Sequence, residues 1–204
     1  QESKIIVVGY SGHSYVLIDS LIHLGYTILG YADIEIKKYN PYKLKYLGNE
    51  NDPNFKYLGK NYSYAVAIGN NALRTSIAKF LRSKSCKLIN VIHSDSSISN
   101  NVFLGSGIFI ARNVSINPLT KIEDDVIINT SVTIDHECSI GNGSNISPGA
   151  VLSGNVKVGK KTFIGANCVI KQGVVVGDDV IIGAGSVVLK NVSNNKIIYG
   201  NPAK

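Results

Sequence analysis

At 204 residues, 44% of them hydrophobic, the chain can bury one large or two modest cores. No apolar run reaches the length of a membrane span and no basic, apolar and small-residue sequence marks a leader, so a cytoplasmic protein with no membrane span is expected. The net charge of +7 comes from scattered lysines and arginines without interleaved aromatics, which excludes a nucleic-acid reader and leaves a solubilising surface that also attracts small polyanions.

Residues 4–9 read Lys-Ile-Ile-Val-Val-Gly, a short apolar run ending in glycine, as a buried parallel strand requires. Tyr10-Ser11-Gly12-His13-Ser14 follows, and then Val16, Leu17, Ile18, Leu21, Ile22 and Leu24 recur at helical spacing until Gly25. A second strand is expected over 27–31, with Asp33 just beyond it. This βαβ opening offers backbone N–H groups at a helix N-terminus, a favourable place for phosphate oxygens. Its glycine spacing departs from the dinucleotide fingerprint, which argues against a full dinucleotide but not against a nucleotide diphosphate.

Residues 37–61 are polar and aperiodic and read as a long connection with one short strand at most. A third strand is expected over 64–69, then a helix over 72–83 capped by Asn70 or Asn71 with Arg74 in its first turn. A fourth strand is expected over 87–92. The domain boundary is placed near residue 95, giving an α/β, Rossmann-like domain over 1–95 and a second domain over 96–204.

From Ile98 to Val188 every sixth residue is Ile, Leu or Val, and four places after each stands a second residue, from Val102 to Val192, that is small or β-branched. A helix needs apolar spacings of three and four, and a half-buried strand needs strict alternation, so this period fits neither. It predicts a triangular parallel β-helix in which three hexads, 18 residues, make one coil and equivalent aliphatics stack. Gly105, Asn113, Asp124, Asn142, Gly143, Gly159, Asp178, Asp179 and Gly183 are expected at corners that need a permissive backbone.

Three cysteines are too few and too scattered for a metal site or a disulfide framework, and Cys138 and Cys168 fall on inward positions as small hydrophobes. Of four histidines only His136 lies in the solenoid, so a three-histidine zinc site there is excluded. His136 is expected at an outward corner between Asp135 and Glu137. A neighbouring carboxylate would fix its tautomer and support the charge gained on taking a proton. Spacing alone does not separate that base from an exposed imidazole among solvated acids.

The hexads in [LIV]-G-x-x-[small]-x form and the tail Gly-Asn-Pro-Ala-Lys resemble the hexapeptide-repeat acyltransferases, trimers built on a left-handed parallel β-helix. G-Y-S-G-H, I-G-N-N-A-L-R, V-I-H-S-D-S, I-N-T-S-V-T-I-D-H-E-C-S-I-G and S-G-N-V-K-V-G resemble one branch in particular, the nucleotide-sugar N-acetyltransferases of the bacillosamine-pathway type, with the sialic-acid O-acetyltransferases as relatives. The resemblance implies acetyl-CoA as co-substrate, no metal, a nucleotide-activated amino sugar (UDP-linked) as acceptor, and a homotrimer with active sites between subunits. It implies that His136 is the general base and Glu137 orients it, that Asn129 lines the acceptor site, and that Ser11, Gly12, His13, Asp33, Gly69, Asn70 and Arg74 hold the nucleotide sugar. It places acetyl-CoA along Gly154, Ala166 and Ala184, with Asn145 where some relatives carry a second histidine. Two other functions are compatible with the same residues: O-acetylation of a sialic-acid-type sugar, and a trimeric scaffold without catalysis.

Overall fold

A computed structural model describes residues 4–204, which form two compact units, one ending at Val91 and one covering Ile92–Lys204. No helix among the described residues is long and apolar enough to cross a membrane.

The first unit holds a parallel four-stranded sheet. Its elements are β1 (Ile5–Val8), α1 (Gly12–His23), β2 (Ile28–Ala32), β3 (Ser63–Val66), α2 (Asn71–Ser83) and β4 (Lys87–Leu88), and the strand order is β2-β1-β3-β4. All four residues of β1 are buried, as a central parallel strand covered on both faces must be. Ile6 and Val8 pack with Tyr64 and Val66 of β3 and with Ile77, Ala78 and Leu81 of α2. The α2 helix starts where Asn70 accepts the Leu73 N–H in its side chain, the cap that its residue type supplies. Because the chain leaves β1 to one side and reaches β3 on the other, the carboxyl ends of these strands open a crevice at a topological switch point.

The connection over 37–61 contributes one parallel bridge, Tyr31 to Tyr46, instead of a strand. The run expected as one strand over 87–92 is divided. Lys87–Leu88 pairs with Ser63 and Tyr64, whereas Val91–Ile92 belongs to the seven-stranded face of the solenoid, and the division between the two units falls between Val91 and Ile92.

The second unit is a parallel β-solenoid with faces of seven, six and five strands. Strands pair at a distance of 18 residues, as Ile122 with Ile140 and Ile140 with Val158, so equivalent aliphatics stack into one column on each face and the three columns meet in a single core. The register begins one hexad earlier than expected, with Ile92, and shortens at the end, where Ile198 pairs with Ile182 only 16 residues away. Where the second inward position is Thr or Ser, its hydroxyl is satisfied by a carbonyl. Thr120 donates to Asp135, Ser144 to Gly159 and Thr162 to Gly177. The Cys138 thiol takes the same place against the Ser153 carbonyl.

From Gly107 to Gly185 every sixth residue is left-handed, and most of these residues are not glycine. Of the residues expected at permissive corners, Asn113, Gly143 and Asp179 have positive φ; the others are there for different reasons. Asp124 and Asp178 accept the backbone N–H groups of Ser106 and Lys160. Gly159 allows close approach, since a Cβ there would lie 2.4 Å from the Gly177 carbonyl carbon.

Candidate active site

The first unit contains a cleft of about 400 Å³ at the switch point. It is walled by Gly9, Tyr10 and Ser11 after β1, by Asp33, Ile34 and Lys37 after β2, and by Ile68, Gly69 and Asn70 after β3, with Leu73, Ile77, Glu50 and Asn51 completing it. Ser11 and Gly12 are exposed at the start of α1, and a Cβ on Gly12 would meet nothing within 4 Å, so a ligand can approach that turn. The Asp33 carboxylate accepts the Tyr10 N–H at 2.9 Å and pairs with Lys37 at 3.1 Å. That hydrogen bond to Asp33 raises the Lys37 pKa and keeps the amine charged at the cleft wall.

Arg74 does not line the cleft. It is 1% exposed, and its guanidinium donates to the carbonyls of Ile68 and Gly69 and to Asn71 Oδ1, so it shapes the β3–α2 turn from behind. His13 is held neutral: burial, reinforced by the positive charge of Arg74, lowers its pKa from 6.5 to about 4. An anion at this turn meets the N–H groups of a helix start. Between pH 6.5 and about 4 the unfolded chain takes up a proton that the folded chain refuses, so stability is expected to fall as pH drops through that window, by up to about 3 kcal/mol. Urea unfolding as a function of pH checks this. The slope should be shallower in His13→Gln, and identical slopes would show that folded His13 takes the proton as readily as the unfolded chain.

In the second unit, His136 sits at the corner between the Thr133–Ile134 and Ser139–Ile140 strands, with 47% of its side chain exposed. Its Nδ1 is 2.9 Å from Glu137 Oε2, and its backbone N–H donates to Asp135 Oδ1 at 2.8 Å. Asp135 also accepts from Asn117 Nδ2, and chiefly that bond lowers its pKa and keeps it ionised. One coil further along, at the corner after Val151–Leu152, Gly154 lies directly against the imidazole. A Cβ on Gly154 would be 2.6 Å from both Cε1 and Nε2 of His136. Cys138, next to this corner in sequence, is buried with a thiol pKa raised to about 11, which keeps it a protonated packing group.

The remaining residues that the resemblance points to do not join this corner within one chain. Asn129, Ala166 and Ala184 follow the strands Ile127–Ile128, Phe163–Ile164 and Ile181–Ile182, so they belong to the corner between the seven- and six-stranded faces, one corner away from His136. Asn145 is on the seven-stranded face and is 7% exposed, so its side chain is not open to a ligand within the chain. Lys37, Glu50 and Ile34 in the first unit's cleft carried no sequence signal. They sit in or beside an aperiodic stretch, and only tertiary contacts bring them to the carboxyl ends of the strands.

Residues 4–81 match the family described as the PglD N-terminal domain, and residues 119–154 and 155–190 match the bacterial transferase hexapeptide (six repeats). Perosamine N-acetyltransferase from Caulobacter crescentus, crystallised with CoA and GDP-perosamine in a variant with one histidine replaced by asparagine, is 31% identical at a TM-score of 0.92, over 99% of this chain and 96% of that one. The acetyltransferase domain of PglB from Neisseria gonorrhoeae is 30% identical at a TM-score of 0.90, over 98% of both chains. Its complex with acetyl coenzyme A aligns at 28% identity and a TM-score of 0.88, over 100% of this chain and 99% of that one. A solenoid of this period, continuous with a domain of the PglD type and matched along its length at this identity, leaves one assignment: the chain belongs to the hexapeptide-repeat, left-handed β-helix acyltransferases.

Proposed function

We propose that the chain is an acetyl-CoA-dependent N-acetyltransferase that acetylates the 4-amino group of a nucleotide-linked, in the first instance UDP-linked, 4-amino-4,6-dideoxy sugar. The observation that carries this reading is the His136–Glu137 pair, 2.9 Å apart on an exposed corner and seated over Gly154. Similar structures hold CoA with GDP-perosamine, or acetyl-CoA, which supports the two substrate classes.

In this proposal the sugar amine attacks the thioester carbonyl directly, forming the C–N bond. His136 Nε2 takes the amine proton, and the C–S bond then breaks as CoA leaves and picks that proton up. Glu137 accepts from Nδ1 and supports the imidazolium between these two moments. The cleft of the first unit, with Ser11, Asp33, Gly69 and Asn70 on its wall, holds the nucleotide together with Gly12 and His13 of the adjoining helix start, and Arg74 supports the turn beneath. Asn129, Ala166 and Ala184 stand at a different corner of the prism from His136, so one groove containing both sets requires two copies. This observation supports a homotrimer with active sites between subunits. A cytoplasmic location, where both substrates are at hand, belongs to the same proposal.

The test is release of free thiol from acetyl-CoA in the presence of a panel of UDP-, dTDP- and GDP-linked 4-amino sugars, with the product mass identifying an N-acetyl group. Transfer confined to hydroxyls of sialic-acid-type sugars would replace this reading with O-acetylation. No thiol release with any acceptor would leave a scaffold.

A further inference from the structure

One group in the first unit's cleft is used neither by a phosphate at the start of α1 nor by the sugar. Glu50 lines the cleft and is 2% exposed. Its Oε1 accepts from Asn51 Nδ2 at 3.1 Å, whereas Oε2 has no hydrogen-bond partner among the described residues. The segment carrying it is tied to the sheet, since Gly48 accepts the Asp33 N–H at 3.1 Å, so the carboxyl is held in place. A buried carboxylate oxygen without a donor is costly, and such a group is kept where a ligand supplies the donor. Burial, reinforced by the charge of Asp33 and partly offset by the residue's own backbone N–H, raises the Glu50 pKa.

The same cleft has two apolar surfaces that the chain leaves uncovered. Ile34 is 74% exposed and Leu73 is 51% exposed, and both line it. Aliphatic walls beside a single buried hydrogen-bond acceptor suit a flat heterocycle whose faces are apolar and whose edge carries an N–H.

We propose that Glu50 selects the nucleobase, its free carboxylate oxygen accepting the ring N–H of uracil, thymine or guanine. Adenine and cytosine present a lone pair on the corresponding ring nitrogen, which faces the carboxylate oxygen unfavourably. This rests on the reading of the cleft as the nucleotide site, and it assigns that site's base discrimination to a residue in the aperiodic stretch.

Calorimetric titration of UDP, GDP, CDP and ADP tests both layers separately. The wild-type protein should bind UDP and GDP about tenfold or more tighter than CDP and ADP, and Glu50→Gln, which can donate as well as accept, should lose most of that preference. A second measurement needs no variant: UDP methylated at N3 should bind wild type about tenfold or more weaker than UDP. Equal binding of UDP and its N3-methyl derivative, or an unchanged base ranking in a folded Glu50→Gln, would overturn the role of Glu50 and leave the nucleotide cleft standing. Failure of all four nucleotides to bind would overturn the cleft reading itself, and this assignment with it.

Discussion

Replacing His136 with alanine should lower kcat for acetyl transfer by about 10²- to 10⁴-fold while leaving nucleotide binding unchanged. The argument runs from the corner upward. Two short strands, Thr133–Ile134 and Ser139–Ile140, anchor their aliphatics in the core and leave His136 and Glu137 outside, which is why a polar imidazole is tolerated there. Glu137 Oε2, at 2.9 Å, favours the tautomer with the proton on Nδ1 and leaves the Nε2 lone pair for the incoming amine. Alanine removes that acceptor without disturbing the core, so the fold should survive. The cleft of the first unit is built from other residues, so UDP or GDP should bind the variant as it binds wild type. Thiol release measured beside calorimetric binding separates the two effects. Full turnover in His136→Ala would end the general-base assignment.

Gly154→Ala should come next in size, a loss of about 100-fold in kcat caused by displacement of a group it never replaces. The positions are one coil apart, so the backbone of Gly154 passes against the His136 ring, and a methyl group there would stand 2.6 Å from two of its atoms. The ring must swing away and give up its 2.9 Å contact with Glu137. Gly154 is not among the residues with positive φ, so alanine brings no backbone strain of its own and the melting temperature should change little. The decisive measurement is the double variant. If the methyl group acts only through the imidazole, Gly154→Ala should cost almost nothing more once His136 is already alanine. Losses that multiply would mean that Gly154 acts on something other than the ring, and full activity in the single variant would mean that the ring accommodates the methyl group.

These two residues separate what could be read along the chain from what could not. His136 could be placed on an outward corner because the inward positions on either side, Ile134 and Cys138, are counted off by the period. Gly154 could be numbered into the same column, but its contact with the imidazole depends on ring orientation, which no spacing encodes. Arg74, which the resemblance assigns to the nucleotide sugar, is buried by folding against the carbonyls of Ile68 and Gly69, a placement no spacing encodes. The run 87–92 looks like one strand along the chain, although Asn90 interrupts its apolar residues and the chain passes there from one sheet to another.

What the amino-acid order determined by itself is the solenoid and the βαβ opening, because a period of six and a buried apolar run ending in glycine are local patterns that only a few backbones satisfy. Tertiary structure alone decided the chemistry available in the cleft. Glu50 joins Ile34 and Lys37 there because the bridge of Tyr31 to Tyr46 and the Asp33 N–H bond to the Gly48 carbonyl fold the connection after β2 back against the carboxyl edge of the sheet. Burial, and with it the neutrality of His13 and the missing donor of Glu50, is a property of that edge and not of any stretch of sequence.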